Sequence, residues 1–229
     1  MMNLRLSTHV IRCFSVEFIL IVIMFHFPSE AFASFLSSGG MPVQDAGGAN
    51  CLATQEIELV KLLNDYRARR GLSKVTASLS LTKVARIHAD DLQNNRPDQG
   101  KDARGMKCNM HSWSSKGFWK GGCYTGDHLY ADLMRQKPRE LTANAYDDVG
   151  YEAAYWNSNT PIDPQTVIES WLRSSDHRAL LFETNKWEGI NFVSVGVGFS
   201  NNYAVIWIGT LKDPLGSLLP CSQTKQKQL

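Results

Sequence analysis

None of the short signatures of the common enzyme classes occurs in this sequence of 229 residues. There is no His-Glu-x-x-His pair, which excludes the arrangement of two zinc-binding imidazoles on one helix face, and no Gly-x-Ser-x-Gly elbow for a serine nucleophile. Neither a phosphate-cradling Walker loop nor a Gly-x-Gly-x-x-Gly fingerprint is present. An excess of charge of one sign is also missing. Lys and Arg number 24 against 22 Asp and Glu, a net +2, too weak and too scattered a field to draw a nucleic acid. Beyond the N-terminus no apolar run is long enough to cross a membrane. No internal repeat is visible. Cysteine is sparse, five residues, and no pair has C-x-x-C or zinc-ribbon spacing, which argues against thiol redox and metal–thiolate chemistry.

What is there begins with an export signal. Residues 1–33 carry Arg5 and Arg12, then the short apolar core Phe18–Phe27, then a small-x-small cleavage site at Ala31-Phe32-Ala33. The expected location is secreted or periplasmic, with no transmembrane segment left after cleavage. Removing this stretch leaves the charge near +2, because Glu17 and Glu30 offset the two arginines. Residues 34–50, rich in Gly, Ser and Ala, read as a flexible leader, 51–221 as one domain, and 222–229 as a disordered tail. Four cysteines follow the signal: Cys51, Cys108, Cys123 and Cys221. An even count in an exported chain predicts disulfides. Three pairings are open; the favoured one joins Cys51 to Cys221 at the domain ends and Cys108 to Cys123 across a short loop.

Periodicity places the elements. Glu56–Arg70 predicts an amphipathic helix with Ile57, Val60, Leu62, Leu63 and Tyr66 inward and Gly71 as its C-cap. Ser80–Asn94 predicts a second helix, capped by Ser80, with Leu81, Val84, Ala85, His88 and Leu92 on one face. His88, beside Asp91, reads as a hydrogen-bonded packing residue rather than a ligand. Arg96–Tyr146 is irregular, with a helical turn at Leu133-Met134 that Pro138 ends; so long a stretch inside a domain is usually functional or cross-linked. Tyr146–Trp156 predicts a strand with a bulge at Gly150. Asp163-Pro164 opens a third helix bearing Val167, Ile168, Trp171 and Leu172, with His177 at its polar end. Val193, Val195, Val197 and Phe199 alternate with small residues, Ser200-Asn201-Asn202 turns, and Tyr203–Gly209 returns, apolar on both faces and therefore central. Helices, an irregular middle, a strand, a helix and a hairpin argue an α+β fold.

The order Trp171-x-x-Ser174-x-x-His177, then Trp187, then Gly196-Val197-Gly198, Tyr203 and Trp207 resembles the CAP superfamily: cysteine-rich secretory proteins, antigen 5 and pathogenesis-related proteins, also called SCP-like domains. The run LVKLLNDYRARRGL is similar to the opening helix of that domain, and MHSWSSKGFWKGGCYT to the segment bearing its first cleft histidine. The resemblance implies a three-layer α-β-α sandwich around a central, mainly antiparallel sheet. It also implies a cleft lined by two histidines, at His111 and His177, and a glutamate, at Glu152. The family's Gly-Glu-Asn run is replaced here by Gly150-Tyr151-Glu152-Ala153, and Ser174 stands where a second glutamate is usual. Glu169 lies on another helix face and does not take that role.

Two imidazoles and one carboxylate can hold a divalent cation such as zinc weakly, or form a hydrogen-bonded network that shapes the cleft wall. No cofactor is required on this reading. The expected function is a non-enzymatic binding module for a lipid, glycan or protein partner. The alternative is a metal-dependent, protease-like hydrolase using His111, Glu152 and His177. Trp113 and Trp119 serve either as a platform for a glycan or lipid or as packing over the disulfide loop. Asp127-His128 reads as a solvated loop.

Overall fold

The structure, a computed structural model, describes residues 50–221. The expected signal over 1–33, all but the last residue of the expected leader, and the tail 222–229 lie outside the described residues.

The chain opens with a two-residue strand, β1 (Cys51–Leu52), and helix α1 (Thr54–Ala68). The deepest line of α1 is Glu56, Leu59, Leu63 and Arg67, with Ile57, Val60, Leu62 and Tyr66 flanking it, half-buried. Hydrophobicity alone misplaces the stripe because two of its inward residues are charged and paired. Glu56 accepts from Arg86 Nε at 2.7 Å and from the Ala53 amide at 2.8 Å. Arg67 donates to Glu183 at 2.6 Å and to the Leu181 carbonyl at 2.9 Å. Gly71, at φ +72°, turns the chain out of the helix in a conformation that costs glycine nothing.

Strand β2 (Thr76–Ala77) leads into α2 (Leu79–Asn95). Ser78, not Ser80, caps α2: its hydroxyl accepts from the Leu81 amide at 2.9 Å, while the Ser80 hydroxyl donates to Asp213 at 2.9 Å. The irregular region contains two single-turn helices, α3 (Ala131–Arg135) and α4 (Lys137–Leu141). Pro138 therefore begins a helix as well as ending a turn, where its missing N–H costs nothing. Strand β3 (Tyr151–Trp156) is shorter than expected. Tyr146 is instead a buried packing residue whose hydroxyl donates to the Leu211 carbonyl at 3.0 Å. Gly150 makes no bulge; a Cβ there would lie 2.7 Å from Pro138 and 2.8 Å from Trp207, so the glycine lets β3 start against those rings.

The third helix is split. Helix α5 (Pro164–Arg173), capped by Asp163, stops at Ser174, which caps a separate helix α6 (Ser175–Leu181). The hairpin β4 (Ser194–Ser200) and β5 (Tyr203–Gly209) follows, and a short β6 (Leu219–Pro220) pairs with β1. The main sheet runs β2-β4-β5-β3, antiparallel except for the parallel β2–β4 pair. Strand β5 is central and every residue of it is buried.

The pleat sorts the core into two layers. Ala204, Ile206 and Ile208 of β5, with Val195 and Val197 of β4, pack against Leu59 and Leu63 of α1 and Val167, Ile168 and Trp171 of α5. Tyr203, Val205 and Trp207 face the other way, against Leu81, Val84, Ala85 and Leu92 of α2. The fold is thus α+β, an α-β-α sandwich. Both disulfides form as favoured, Cys51–Cys221 with Cα atoms 4.8 Å apart and Cys108–Cys123 at 5.1 Å.

Candidate functional site

Strand β3 alternates Tyr151, Ala153 and Tyr155 with Glu152, Ala154 and Trp156. Glu152 therefore shares the inward face with its register partner Trp207, on the α2 side of the sheet, and is 4% exposed. A carboxylate there must be paired. His88 of α2 places Nδ1 against Oε1, and His111 places Nδ1 2.7 Å from Oε2. Burial alone would raise the Glu152 carboxyl, but the charge of His88 and the hydrogen bond from His111 outweigh it and hold it below its ordinary value.

His88 Nε2 lies 3.0 Å from the Ser112 carbonyl, which can only accept, so Nε2 carries a hydrogen. The other nitrogen faces a carboxylate. His88 is fully buried and stacks on Trp113, ring centroids 4.0 Å apart and planes within 9°. The packing reading of His88 holds, but its partner is Glu152; Asp91 instead accepts from the Ser114 amide at 2.7 Å.

His111 is carried by the loop that Cys108–Cys123 closes. Within it Trp113 and Gly122 exchange backbone hydrogen bonds of 3.0 and 2.9 Å, and the Asn109 side chain accepts from the His111 amide at 3.0 Å.

His177 sits in the first turn of α6, its amide directed at the Ser174 hydroxyl at 3.4 Å. Burial, then the neighbouring His111, lowers its imidazole from 6.5 to about 4, so it is neutral at physiological pH. His111, Glu152 and His177 line one cavity of about 660 Å³, with Arg135 and Lys186 and an apolar wall that includes Leu180 and Trp187. Ser174 and His177 also line a neighbouring cavity of about 640 Å³ along the outer edge of β3.

Of the remaining candidates His128 also lines the first cavity, and the others pack or pair elsewhere. Trp113 is 2% exposed and packs in the core, with Lys137 Nζ 5.0 Å from its ring centroid, so it offers no platform. Trp119 packs edge-on against it and donates to the Ser114 carbonyl at 2.9 Å. Asp127 pairs with Arg104 at 2.6 Å, and the exposed His128 bonds the Tyr124 hydroxyl at 2.8 Å. Reading the sequence missed His88 as the second partner of Glu152. The signal was present: an imidazole on a core-facing helix stripe needs a buried partner, and the acid on the inward face of β3 needs one too.

Three donors suited to a metal do not assemble. Among the described residues no group of three His, Cys, Asp or Glu is spaced to hold one, and both Glu152 oxygens are already engaged by imidazoles. A three-ligand metal centre does not fit these residues.

Residues 60–209 match the family described as the cysteine-rich secretory protein family, CAP. Among solved structures, similar ones include an extracellular protein containing an SCP domain from Bacillus anthracis, at 16% identity and TM-score 0.44 over 67% of this chain and 39% of that one. A cysteine-rich secretory protein from Staphylococcus aureus is 17% identical, TM-score 0.42, over 74% of this chain and 41% of the other. An outer surface protein of Borrelia burgdorferi is 16% identical, TM-score 0.43, over 71% and 98%. The chain thus spans about two fifths of the length of the first two structures. None of the curated proteins matches the sequence.

Proposed function

The chain belongs to the cysteine-rich secretory protein (CAP) family, and on that premise we propose that it is an exported, non-enzymatic binding domain whose His-lined cavity takes a small amphipathic anion of the fatty-acid kind. Export rests on the signal-like N-terminus and the two disulfides. The single observation that carries the binding reading is the engagement of both Glu152 oxygens by His88 and His111. A carboxylate held by two imidazoles and 4% exposed is a strut of the wall, shielded from the water or metal that a catalytic base or ligand would have to meet. The cavity suits an apolar body with an acidic head: Leu180, Trp187 and Ile190 supply the wall, and Arg135 and Lys186 bring two positive charges against the one negative charge of Asp176.

The alternative, a metal-dependent hydrolase, needs Glu152 as base or ligand and finds it occupied. The His111 and His177 imidazoles alone would hold zinc weakly and exchangeably, and nothing in the binding reading passes through a metal. Native mass spectrometry of the purified chain, followed by titration with palmitate, tests the proposal. Saturable binding that survives Glu152→Gln and weakens about tenfold in Lys186→Ala is expected. Peptide or ester hydrolysis abolished by Glu152→Gln would overturn it in favour of the hydrolase.

A further inference from the structure

The second cavity, along the outer edge of β3, is built from different chemistry. Trp156 ends the edge strand with its ring 46% exposed, on the same face as its register partner Tyr203. Tyr203 donates its hydroxyl to Asp98 Oδ2 at 3.3 Å, and Gln99 Nε2 lies 2.5 Å from the same oxygen. Burial, then the Asp98 charge, pushes the Tyr203 phenol up to about 12, which keeps it a donor. The other oxygen, Oδ1, is buried without a hydrogen-bond partner, although the Asp98 side chain is only 9% exposed. Its nearest cation is Arg96 Nε, 3.7 Å away, too far to donate but close enough to offset the charge. Asp98, Arg96, Gln99, Tyr155 and Trp156 all line this cavity.

We propose that this cavity is a saccharide subsite, in which the apolar face of a neutral pyranose stacks on Trp156 and one of its hydroxyls donates to Asp98 Oδ1. A buried acceptor lacking a donor gains most from a ligand rich in O–H groups. An exposed indole beside planar polar side chains supplies the flat apolar contact that such a ring needs. Arg96 decides against the obvious rival, an ammonium ligand caged by Trp156 and Asp98. Its guanidinium already balances the carboxylate, so a further cation gains little while a neutral hydroxyl gains a full acceptor. The inference goes beyond the amphipathic-anion reading; the two cavities share Ser174 and His177, and the variants that test this one touch neither.

The probes are chitotriose, cellotriose and maltotriose, titrated into the purified chain with tryptophan fluorescence as readout. At least one is expected to bind saturably, about tenfold more weakly in Trp156→Ala and in Asp98→Asn, with recovery in Trp156→Tyr. Lys186→Ala should leave sugar binding unchanged while weakening palmitate, which separates failure here from failure of the other cavity. Denaturation midpoints equal to the parent in Trp156→Ala and Asp98→Asn keep a folding defect from mimicking the loss. Absence of saturable binding by all three sugars, unchanged binding in Trp156→Ala, or saturable binding of tetramethylammonium in their place would overturn the proposal.

Discussion

His88 of α2 and Glu152 of β3 stand 64 positions apart in sequence and meet in the core, Nδ1 against Oε1. Their geometry makes a specific demand on substitutions. A glutamine at 152 can donate its amide N–H to His88 Nδ1 and accept from His111 with its oxygen, so both contacts survive. Glu152→Gln is expected to cost under about 1.5 kcal/mol, whereas Glu152→Ala, which strands the buried His88 and takes a partner from the half-buried His111, costs about 3–5 kcal/mol. Urea midpoints of the two variants check this; equal losses would refute the claim that the glutamine keeps both contacts.

Acid should destabilise the protein in two steps. His177 is lowered in the fold from 6.5 to about 4, so the unfolded chain binds the extra proton between those values. Its contribution is complete above about pH 6.5 and is lost as pH falls toward 4. Glu152, also lowered by folding, contributes above its ordinary 4.5 and loses that contribution below it. Stability measured from pH 7 to 3 should fall across both windows, and His177→Asn should flatten the upper one. A plateau from 6.5 to 4 in the parent would contradict the neutral His177.

Trp171 fills the layer between α5 and the sheet, 1% exposed, and donates its indole N–H to the Ala154 carbonyl at 3.2 Å. Trp171→Ala is expected to cost about 3–5 kcal/mol. His111→Ala should cost much less, since its side chain is 20% exposed and rims a cavity. Identical denaturation midpoints for the two variants would defeat this contrast.

Gly196 lets β4 press directly on α2: a Cβ there would lie 1.9 Å from the Leu81 carbonyl carbon. Gly196→Ala must push strand and helix apart, at about 3 kcal/mol or more. Gly71→Ala, strained in backbone but meeting nothing within 4 Å, should cost only about 1 kcal/mol. Thermal melts of the pair give the order.

The Cys108–Cys123 loop carries His111, so its reduction should act on the cavity as well as on stability. On the loop-entropy relation, Cys108→Ser with Cys123→Ser costs about 3 kcal/mol. Palmitate affinity should fall with it, because His111 loses its fixed position. Undiminished affinity in that double variant would show that the loop is not what positions His111.

Much of the fold is legible where local pattern and tertiary need agree. The small–apolar alternation of β4, the unbroken apolar run of β5 and the Asp163 cap of α5 all serve the same burial that the structure completes. Legibility fails where a distant partner changes the local preference. The stripe of α1 runs through Glu56 and Arg67, and only Arg86 and Glu183 make those positions inward. Ser80 has cap chemistry, but Asp213 takes its hydroxyl and leaves the cap to Ser78. The candidate site follows the same rule. Single residues such as His111 and Glu152 stand out from their surroundings, while the His88 bond, spanning 64 positions, has no local signature.

Where β1 meets β6, the two ends of the described chain leave the domain side by side, bolted together by Cys51–Cys221. Tension applied through whatever lies before Cys51 and after Cys221 therefore passes across a covalent bond and never reaches the sheet. While that bond is intact, the two ends of the domain cannot be drawn apart.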